Sequence, residues 1–422
     1  MKSGERTYCC IDLKSFYASV ECADRGLDPY ETDLVVADPA RGEKTICLAV
    51  SPALKAKGVP GRCRVFQIPK HLSYIKARPR MRRYMEASAQ IVRIYLEYVS
   101  AEDMHVYSID ECFIDLTPYL GLYGKTAKEL VNMLREEVLR RTGITATAGI
   151  GPNLFLAKVA LDITAKHVDD NIGFLDEELF CEQIWDHRPI TDVWQIGPGI
   201  ARRLEAHGIR DLRGVAHASI DMLYREFGVN AEYLIDHAWG LEPCTIADIH
   251  AYEPKGSSLG NGQVLPCDYS FEEGRMILRE MVDETVLDLV GKGLTTDHVS
   301  LYVGYRKDEG LAGHRSASRK LSSHTSSFRK LWTIMEELYN ETVDASRAIR
   351  RVNMAFGGLM PEEHTTRELF ADTAAEEAEH DRQEAILAIK KKFGTDAVMK
   401  GTSLKEKARG YERAHQVGGH HE

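Results

Sequence analysis

Two adjacent acids lie within a short apolar stretch of the chain, residues 105–116 (HVYSIDECFIDL). The apolar and β-branched residues on either side predict two short strands joined at residues 108–110, with Asp110 and Glu111 near the bend. Neighbouring carboxylates among buried apolar residues repel each other, so the pair is costly unless a cation neutralises it. A hard divalent ion such as Mg²⁺ relieves that repulsion by taking oxygen ligands. The alternative is a surface hairpin with a solvated acid pair, which this stretch alone favours because Asp and Glu are mostly exposed.

A third acid follows a predicted strand near the N-terminus. Residues 7–12 (TYCCID) indicate a buried strand that ends at Asp12, and Ser15 is predicted to cap a helix over residues 15–25. Ligand-binding groups of α/β folds tend to lie at strand ends, where Asp12 can converge with the acid pair. Two ions ~3.5–4 Å apart activate an attacking hydroxyl and stabilise a leaving phosphate. The three acids therefore indicate a two-metal site.

The chain also carries three motifs in a fixed order. They are residues 12–21 (DLKSFYASVE), residues 107–111 (YSIDE) and residues 148–158 (AGIGPNLFLAK), and residues 418–421 near the C-terminus are GGHH. The motifs resemble those of the Y-family translesion DNA polymerases. The C-terminal segment resembles the UmuC/UvrX-like branch (ImpB/MucB/SamB family) of Gram-positive bacteria. The resemblance extends from the first predicted strand to the C-terminus.

This resemblance implies a low-fidelity, template-directed DNA polymerase for translesion synthesis past damaged bases. Such an enzyme serves DNA repair and the SOS response by transferring a nucleotide to a primer 3′-hydroxyl. No exonuclease-like acid cluster is visible in the sequence, so proofreading is not expected. Two alternatives stay open. One is a catalytically silent DNA-binding scaffold of a repair complex, against which the three acids argue. The other is a nucleotide cyclase, which shares the metal-binding fold.

The resemblance assigns roles to the acids and to one aromatic residue. Asp12, Asp110 and the Leu13 carbonyl would hold a Mg²⁺ on the nucleotide side. Asp12, Asp110 and Glu111 would hold a second Mg²⁺ that activates the primer hydroxyl. Tyr17 would lie under the sugar and exclude a 2′-hydroxyl, which selects deoxynucleotides.

Phe16, Lys55 and Lys158 are the other expected nucleotide contacts. The glycine turn at residues 149–152 precedes a helix predicted over residues 153–166, and N–H groups at a helix N-terminus suit phosphate. Lys158 follows on that helix and would reach the triphosphate. Many relatives carry Arg where this chain has Lys55, and Lys supplies charge without a bidentate fork.

The predicted elements up to residue 151 follow the order β-α-insert-α-β-β-α-β, which is the ferredoxin-like split βαβ arrangement. We therefore expect an α+β multidomain protein. By resemblance it has a ferredoxin-like palm with a small fingers insert, a helical helix-hairpin-helix thumb and an α+β little finger. The expected bounds are palm 1–30 and 76–172, fingers 31–75, thumb 173–245, linker 246–258, little finger 259–358 and C-terminal tail 359–422.

The net charge of −10 hides local basic clusters, and the distribution of charge matters more than its sum for nucleic-acid binding. One cluster lies in residues 76–83. Residues 310–327 are expected to form a flexible basic loop that contacts phosphate. A helix-hairpin-helix pattern over residues 194–209 is expected to contact the DNA backbone. Solvated surfaces and an ordinary Gly-Pro connector are the alternatives. The expected DNA-binding residues are Gly197, Gly199, Arg202, Arg315, Arg319 and Lys320.

Further features bear on partners and location. Leu369 and Phe370 lie where relatives often carry a sliding-clamp peptide, but the usual Gln is absent, so clamp binding stays open. The nine cysteines show no C-x-x-C spacing, which fits a reducing cytoplasm and argues against a disulfide scaffold or a zinc site. No signal peptide is visible, and no apolar run reaches the ~18 residues of a membrane helix.

Overall fold

A computed structural model of the chain describes residues 6–254, 256–306, 313–365 and 373–421. The predicted clamp residues Leu369 and Phe370 lie outside these described residues. The chain divides into two compact units, Met1–Tyr252 and Glu253–His421. In the described ranges, no helix is both long and apolar enough to cross a membrane.

The first unit alternates short strands and helices and then becomes all-helical. Its elements are β1 (Tyr8–Leu13), α1 (Phe16–Ala23), β2 (Leu34–Val36), β3 (Ala49–Val50), α2 (Pro52–Ala56), β4 (Ile75–Ala77), α3 (Met81–Leu96), β5 (Met104–Val106), β6 (Glu111–Asp115), α4 (Thr117–Tyr123), α5 (Ala127–Thr142), β7 (Ala146–Gly151), α6 (Leu154–Asp162), β8 (Ile172–Phe174), α7 (Glu177–Gln183), α8 (Pro198–Ala206), α9 (Leu212–Ala216), α10 (Ile220–Phe227), α11 (Ala231–Ala238) and α12 (Ile246–Ala251).

The central sheet has the strand order β5-β6-β1-β7-β8. The first four strands pair antiparallel, and β8 adds parallel to β7. With α1, α3 and α5 as connections, this order is the ferredoxin-like arrangement that the sequence predicted. The predicted hairpin is also present, as β5 and β6.

Helices cover both faces of the central sheet, so β1 is buried on both sides. Cys9, Ile11 and Leu13 belong to a core that includes residues of α1, α3 and α5. Tyr8 and Cys10 point to the other face, where they meet α6. Successive residues of a strand point to opposite faces, and both faces of β1 are covered by helices. The strand is therefore a continuous apolar run.

Glycines let α6 lie directly on β7. A Cβ at Gly149 would lie 2.1 Å from the Ala157 carbonyl oxygen, and one at Gly151 would lie 2.7 Å from the Ala157 nitrogen. Both glycines are strand residues with buried backbones. The expectation that they form a phosphate-binding turn is therefore wrong, because they serve close packing between helix and strand.

An insertion between α1 and α3 forms a separate small sheet, with the order β3-β2-β4. Its core is a cluster of buried residues that includes Val35, Cys47, Leu54 and Cys63. Helix α2 closes this insertion. Its N-cap is Ser51, whose hydroxyl accepts from the Leu54 N–H.

Helices α7–α11 pack around an apolar core that they share with α6 and that includes Phe180, Leu204 and Leu223. Helix α12 follows, in a segment where the sequence analysis expected a linker. Thr245 and Asp248 form a capping box at its start, and Ile246 packs with Tyr8 and Phe113. A capping box and one apolar anchor suffice for this short helix, whereas the Pro, Gly and Ser residues of the segment begin only at residue 254.

The second unit is an α+β structure with C-terminal helices. Its elements are β9 (Leu259–Tyr269), α13 (Phe271–Gly291), β10 (Leu294–Tyr305), β11 (His314–Thr325), α14 (Phe328–Thr342), β12 (Ile349–Gly357), β13 (Met360–Pro361), α15 (Thr373–Phe393), α16 (Gly410–Ala414), β14 (Gln416–Val417) and β15 (His420–His421). The sheet order is β11-β10-β12-β9. Helices α13 and α14 bury one face of this sheet around a core that includes Met281, Leu301 and Phe356.

Candidate active site

The backbone brings the three predicted acids to one corner of the central sheet. Asp12 on β1 is the cross-strand partner of Glu111 on β6. The Leu13 N–H donates to the Asp110 carbonyl over 2.9 Å, which ties the bend of the hairpin to the end of β1. All three acids are partly buried. The strand register therefore fixes their closeness.

Ser108, which was not among the residues predicted from the sequence, organises the bend. Its hydroxyl donates to Asp110 Oδ1 over 2.8 Å and accepts from the Glu111 N–H over 3.1 Å. A serine two residues before an aspartate in a turn is the signal that could have identified it, because such hydroxyls commonly bond to nearby turn groups.

The electrostatics of this corner disfavour ionised acids. Burial, followed by the neighbouring Asp110 and Glu111, raises the pKa of Asp12 to about 7. Burial also raises the pKa of Asp110, although the Ser108 hydrogen bond opposes that shift. A bound cation would relieve both effects.

Lys158 forms an ion pair with Glu111. Its ammonium lies 2.6 Å from Glu111 Oε1 and 2.8 Å from Asp162 Oδ1, and the side chain is almost fully buried. Burial alone would lower the pKa of Lys158, but pairing with Asp162 and Glu111 raises it overall. Asp162 was missed from the sequence, where its i, i+4 spacing from Lys158 on one helix face was the available signal.

The ion pair between Lys158 and Glu111 affects whether the acidic corner can bind a metal ion. Among the described residues, no three acidic, histidine or cysteine side chains are gathered closely enough to hold an ion as they stand. Glu111 is drawn to Lys158, and Asp110 is held by Ser108. The donors at this corner are all oxygens, which suits Mg²⁺. Metal binding would therefore require the Glu111 side chain to leave Lys158.

The N-terminus of α6 is closed to ligands. Asn153 Oδ1 accepts from the Leu156 N–H over 2.8 Å, and its amide donates to the Gly240 carbonyl over 2.8 Å. Asn153 is buried. Lys158 and Asp162, which lie further along α6, are the residues that this helix contributes to the acidic corner.

Helix α1 begins differently from the prediction. Ser15 has φ 50° and ψ 41° and makes no side-chain cap hydrogen bond. An N-cap needs an extended backbone, so this left-handed residue cannot act as one. The side chain of Phe16 is buried in the core. Only the main chain of Phe16 is therefore available to contact a nucleotide. It lies at an uncapped helix start, three residues after Leu13.

Tyr17 is fixed by a stack on Tyr84, with ring centroids 4.5 Å apart and planes inclined by 15°. The Tyr84 hydroxyl donates to Glu21 Oε1 over 2.7 Å, and Arg80 Nε donates to the same oxygen over 2.8 Å. Burial alone would raise the pKa of Glu21, but Arg80, Tyr84 and Arg25 hold it below its usual range. Arg80 thus belongs to an internal network, although it lies in the basic cluster predicted at residues 76–83.

The insertion contributes two cations near this corner. Lys55 is exposed on α2. Desolvation lowers its pKa, and the Asp12 carboxylate acts in the opposite direction. Arg62 has φ 58° and was missed from the sequence. Burial, followed by Asp110, raises the pKa of Tyr17, and Arg62 opposes that shift.

The two glycines of the predicted helix-hairpin-helix lie in an exposed connector at the start of α8. Gly197 is the N-cap of α8, Gly199 is exposed in its first turn, and a Cβ at either position would meet nothing within 4 Å. Arg202 Nε donates to the Pro198 carbonyl over 3.3 Å. The exposed main chain here lets another backbone approach closely.

The basic residues of the second unit lie on a strand. Residues 314–325 form β11, so the expected flexible loop is wrong over this range. Because successive strand residues face opposite ways, the cations separate. Arg315 and Arg319 lie opposite Val303 and Val299 on the helix-covered side, whereas Lys320 lies opposite His298.

Arg319 is already engaged, since it pairs with Glu337 and Glu341 of α14. Lys320 lies 3.6 Å from Asp297. The face of the sheet that carries Lys320 also presents Tyr302, which stacks on His314 with centroids 5.0 Å apart. Hydroxyl and amide side chains accompany Tyr302 there, namely Ser300, Ser316, Ser318 and Asn353. This polar face was not predicted from the sequence, because it depends on the strand register.

Comparisons with known proteins agree with this architecture. A family model described as "impB/mucB/samB family" matches residues 11–162, and the model of that family's C-terminal domain matches residues 257–369. Together the two models cover more than half of the chain.

Relatives match along almost the whole length. "DNA polymerase IV 2" of Bacillus subtilis (strain 168) is 29% identical over 421 residues, which are 99% of each chain. UvrX of the same organism is 28% identical over 415 residues, which are 97% of this chain and 96% of that protein. Among solved structures, "Y-family DNA polymerase chimera Dbh-Dpo4(243-245)-Dbh" has a TM-score of 0.61 at 20% identity. It covers 84% of this chain and 99% of its own, which supports the multidomain α+β fold. The chain therefore belongs to the impB/mucB/samB family.

Proposed function

We propose that this chain is a low-fidelity, template-directed DNA polymerase that extends primers past damaged bases by nucleotidyl transfer at Asp12, Asp110 and Glu111. The carrying observation is the strand register that joins Asp12 to Glu111 and the end of β1 to the Asp110 bend. Relatives that match this chain along nearly their full length are named as DNA polymerases.

Divalent metal use is general to this family, and we propose two Mg²⁺ ions here. Asp12, Asp110 and the Leu13 carbonyl would hold the nucleotide-side ion, and Asp12, Asp110 and Glu111 would hold the other. When bound, the ions would activate the primer hydroxyl and neutralise charge on the phosphates. The raised pKa of Asp12 supports the assignment, because a cation would stabilise its ionised form.

Lys158 would exchange Glu111 for the triphosphate when a metal binds. Without metal it neutralises Glu111 and Asp162. Once Glu111 turns toward a metal, the ammonium would be released from that carboxylate and could pair with the triphosphate. Charge-assisted bonds to phosphate are strong, so the exchange keeps the cation satisfied.

Tyr17 would exclude the 2′-hydroxyl of a ribonucleotide. Its stack on Tyr84 holds the ring in one orientation, which is what discrimination by shape requires. The Phe16 main chain, at the uncapped start of α1, would contact phosphate. Lys55, which experiences the Asp12 charge, would add a phosphate contact from the insertion.

Primed DNA would bind through backbone contacts. In the first unit, the exposed connector at Gly197 and Gly199, together with Arg202, would approach a phosphate. In the second unit, Lys320 and Arg315 are exposed cations, and Arg319 would first have to leave its glutamates. Sliding-clamp binding through Leu369 and Phe370 and a cytoplasmic location are further proposals.

A primer-extension assay tests the polymerase proposal. The full chain is incubated with Mg²⁺, deoxynucleotides and a primed template that contains either no lesion or one abasic site. We expect extension on both templates. Primed DNA that is bound but never extended would point to a scaffold, and cyclic nucleotide formed without a primer would point to a cyclase.

A further inference from the structure

Two cysteines face each other inside the insertion that contains α2. An antiparallel bridge joins Ile46 to Arg64, and the Cys47 N–H donates to the Cys63 carbonyl over 2.7 Å. On the other side of that bridge, the Val65 N–H donates to the Thr45 carbonyl over 3.1 Å. This register places Cys47 directly opposite Cys63, so both side chains point to the same side.

The two thiols lie in one apolar core. Both belong to the buried cluster of the insertion, and after burial itself the neighbouring Cys63 raises the pKa of Cys47 most. Both are free thiols in this structure. Directly opposed residues of this kind have Cα atoms about 5.5 Å apart, which is within the ~4.4–6.8 Å range of disulfides. Closing a bond between the sulfurs therefore requires only small adjustments.

We propose that Cys47 and Cys63 form a redox-sensitive pair that closes to a reversible disulfide when the protein meets hydrogen peroxide. Cys63 is 6% exposed and Cys47 is fully buried, so peroxide reaches Cys63 first. The Cys63 sulfur bonds to one peroxide oxygen as the O–O bond breaks, which yields a sulfenic acid and one water. The Cys47 sulfur then displaces that oxygen, and the Cys47 proton leaves with it as a second water.

The electron balance of this reaction is complete. Two electrons pass from the dithiol to the peroxide, and a dithiol reductant returns them. Burial raises the pKa of Cys47 to about 12. Because the thiolate is the reactive form, Cys47 reacts slowly with peroxide itself, which fits its place as the second, resolving thiol.

Cys9 and Cys112 offer a comparison within the same chain. They lie on neighbouring strands, but Cys9 is opposite Ile114 and Cys112 is opposite Ile11. Such diagonal positions are about 7–8 Å apart, which is beyond ordinary disulfide geometry. We therefore expect Cys9 and Cys112 to remain unlinked under the same treatment.

The link would fix both ends of the segment between Cys47 and Cys63. This segment contains α2 with Lys55, and Arg62 directly precedes Cys63. Lys55 interacts electrostatically with Asp12, and Arg62 with Tyr17. On the proposed function, oxidation would therefore restrain two cations beside the nucleotide site. The link itself can be tested without any polymerase activity.

The test uses the full chain, treated with graded hydrogen peroxide, quenched, alkylated after unfolding and mapped by mass spectrometry. We expect a Cys47–Cys63 linked peptide that has lost two hydrogen atoms, and its disappearance after dithiothreitol. Native trypsin digestion before and after oxidation should show slower cleavage after Lys55, Lys57 and Arg62. Because both measurements use the unaltered chain, they do not depend on a variant that folds.

Two variants complete the test. Cys63→Ser should abolish the link, and Cys267→Ser, which removes an exposed thiol elsewhere, should leave it intact. The proposal is overturned if both thiols of the unaltered chain are fully alkylated after peroxide, or if Cys63 is oxidised to sulfinic acid while Cys47 stays free. Neither outcome bears on polymerase activity, so this proposal and the proposed function fail independently.

Discussion

The ring of Tyr17 lies against the ring of Tyr84, with centroids 4.5 Å apart and planes inclined by 15°. Tyr84 is itself fully buried and bonded to Glu21. The residue proposed to select the sugar is thus supported by a core residue. Stacked aromatic pairs contribute about 0.5–1.5 kcal/mol beyond the area that they bury.

Removal of the Tyr17 ring should admit ribonucleotides. We expect Tyr17→Ala to raise ribonucleotide incorporation by at least about tenfold relative to deoxynucleotides, which corresponds to about 1.4 kcal/mol of lost discrimination. The measurement is kcat/KM for the two nucleotide types. Tyr84→Phe keeps the stack and is the matched control, with an unchanged ratio. An unchanged ratio in Tyr17→Ala would remove the proposed role.

Lys158 competes with metal for Glu111, so its removal should favour metal. We expect Lys158→Met to bind Mn²⁺ about tenfold more tightly than the unaltered chain in calorimetry without nucleotide. The metal-free variant should also be less stable, by about 2 kcal/mol, because Glu111 and Asp162 lose their charged partner. Arg202→Met, a cation outside this corner, is the control. Equal Mn²⁺ affinity in Lys158→Met would contradict the competition.

The raised pKa of Asp12 predicts a pH dependence of metal-free stability. Its folded pKa is about 7 against about 3.9 when unfolded. Between those values the folded state binds more protons, so stability falls as pH rises, and the full penalty is present above about pH 7. Asp12→Asn removes this penalty. In EDTA we compare the unfolding free energy of Asp12→Asn with that of the unaltered chain. The difference in favour of Asp12→Asn should grow by about 1–3 kcal/mol from pH 5 to pH 8.

Urea unfolding at the two pH values measures that advantage. Saturating Mg²⁺ should stabilise the unaltered chain at pH 8 far more than Asp12→Asn. An advantage that is equal at both pH values would mean that Asp12 titrates normally in the folded protein.

Two glycines should respond in opposite ways to alanine. Gly149→Ala places a Cβ 2.1 Å from the Ala157 carbonyl, so we expect a loss of at least about 3 kcal/mol in unfolding free energy. Gly197→Ala meets nothing within 4 Å and should keep its stability while binding primed DNA more weakly. Thermal unfolding and fluorescence anisotropy measure the two effects. Equal stability of both variants would contradict the packing role of Gly149.

The sequence predicted the acidic corner because its signals are local. The hairpin and the strand that ends near Asp12 each follow from short apolar runs, and β1 and β6 have the pairing that brings Asp12 to Glu111. The order of elements likewise predicted the ferredoxin-like sheet. The family motifs connect these stretches, which are about 100 residues apart in the chain, to one kind of metal site.

Other features depend on contacts that no local pattern contains. The glycines at 149 and 151 resemble a phosphate turn until α6 is seen on β7. Ser15 is a good cap by residue type, but its left-handed backbone prevents that role. Residues 314–325 have a loop-like composition, and pairing with β10 makes them a strand. Lys158 has a partly buried partner, Glu111, that only the packing of α6 reveals, whereas the spacing of Asp162 on the same helix was visible in the sequence.

Single-nucleotide incorporation by variants of the three acids shows whether nucleotidyl transfer takes place at the acidic corner. The assay uses one primed template, Mg²⁺ and the correct deoxynucleotide, with Asp110→Asn, Glu111→Gln and the exposed control Glu102→Gln. We expect each site variant to lose at least about 10²-fold in rate while still binding primed DNA, and Glu102→Gln to match the unaltered chain. Incorporation by both site variants at the unaltered rate would place the active site elsewhere.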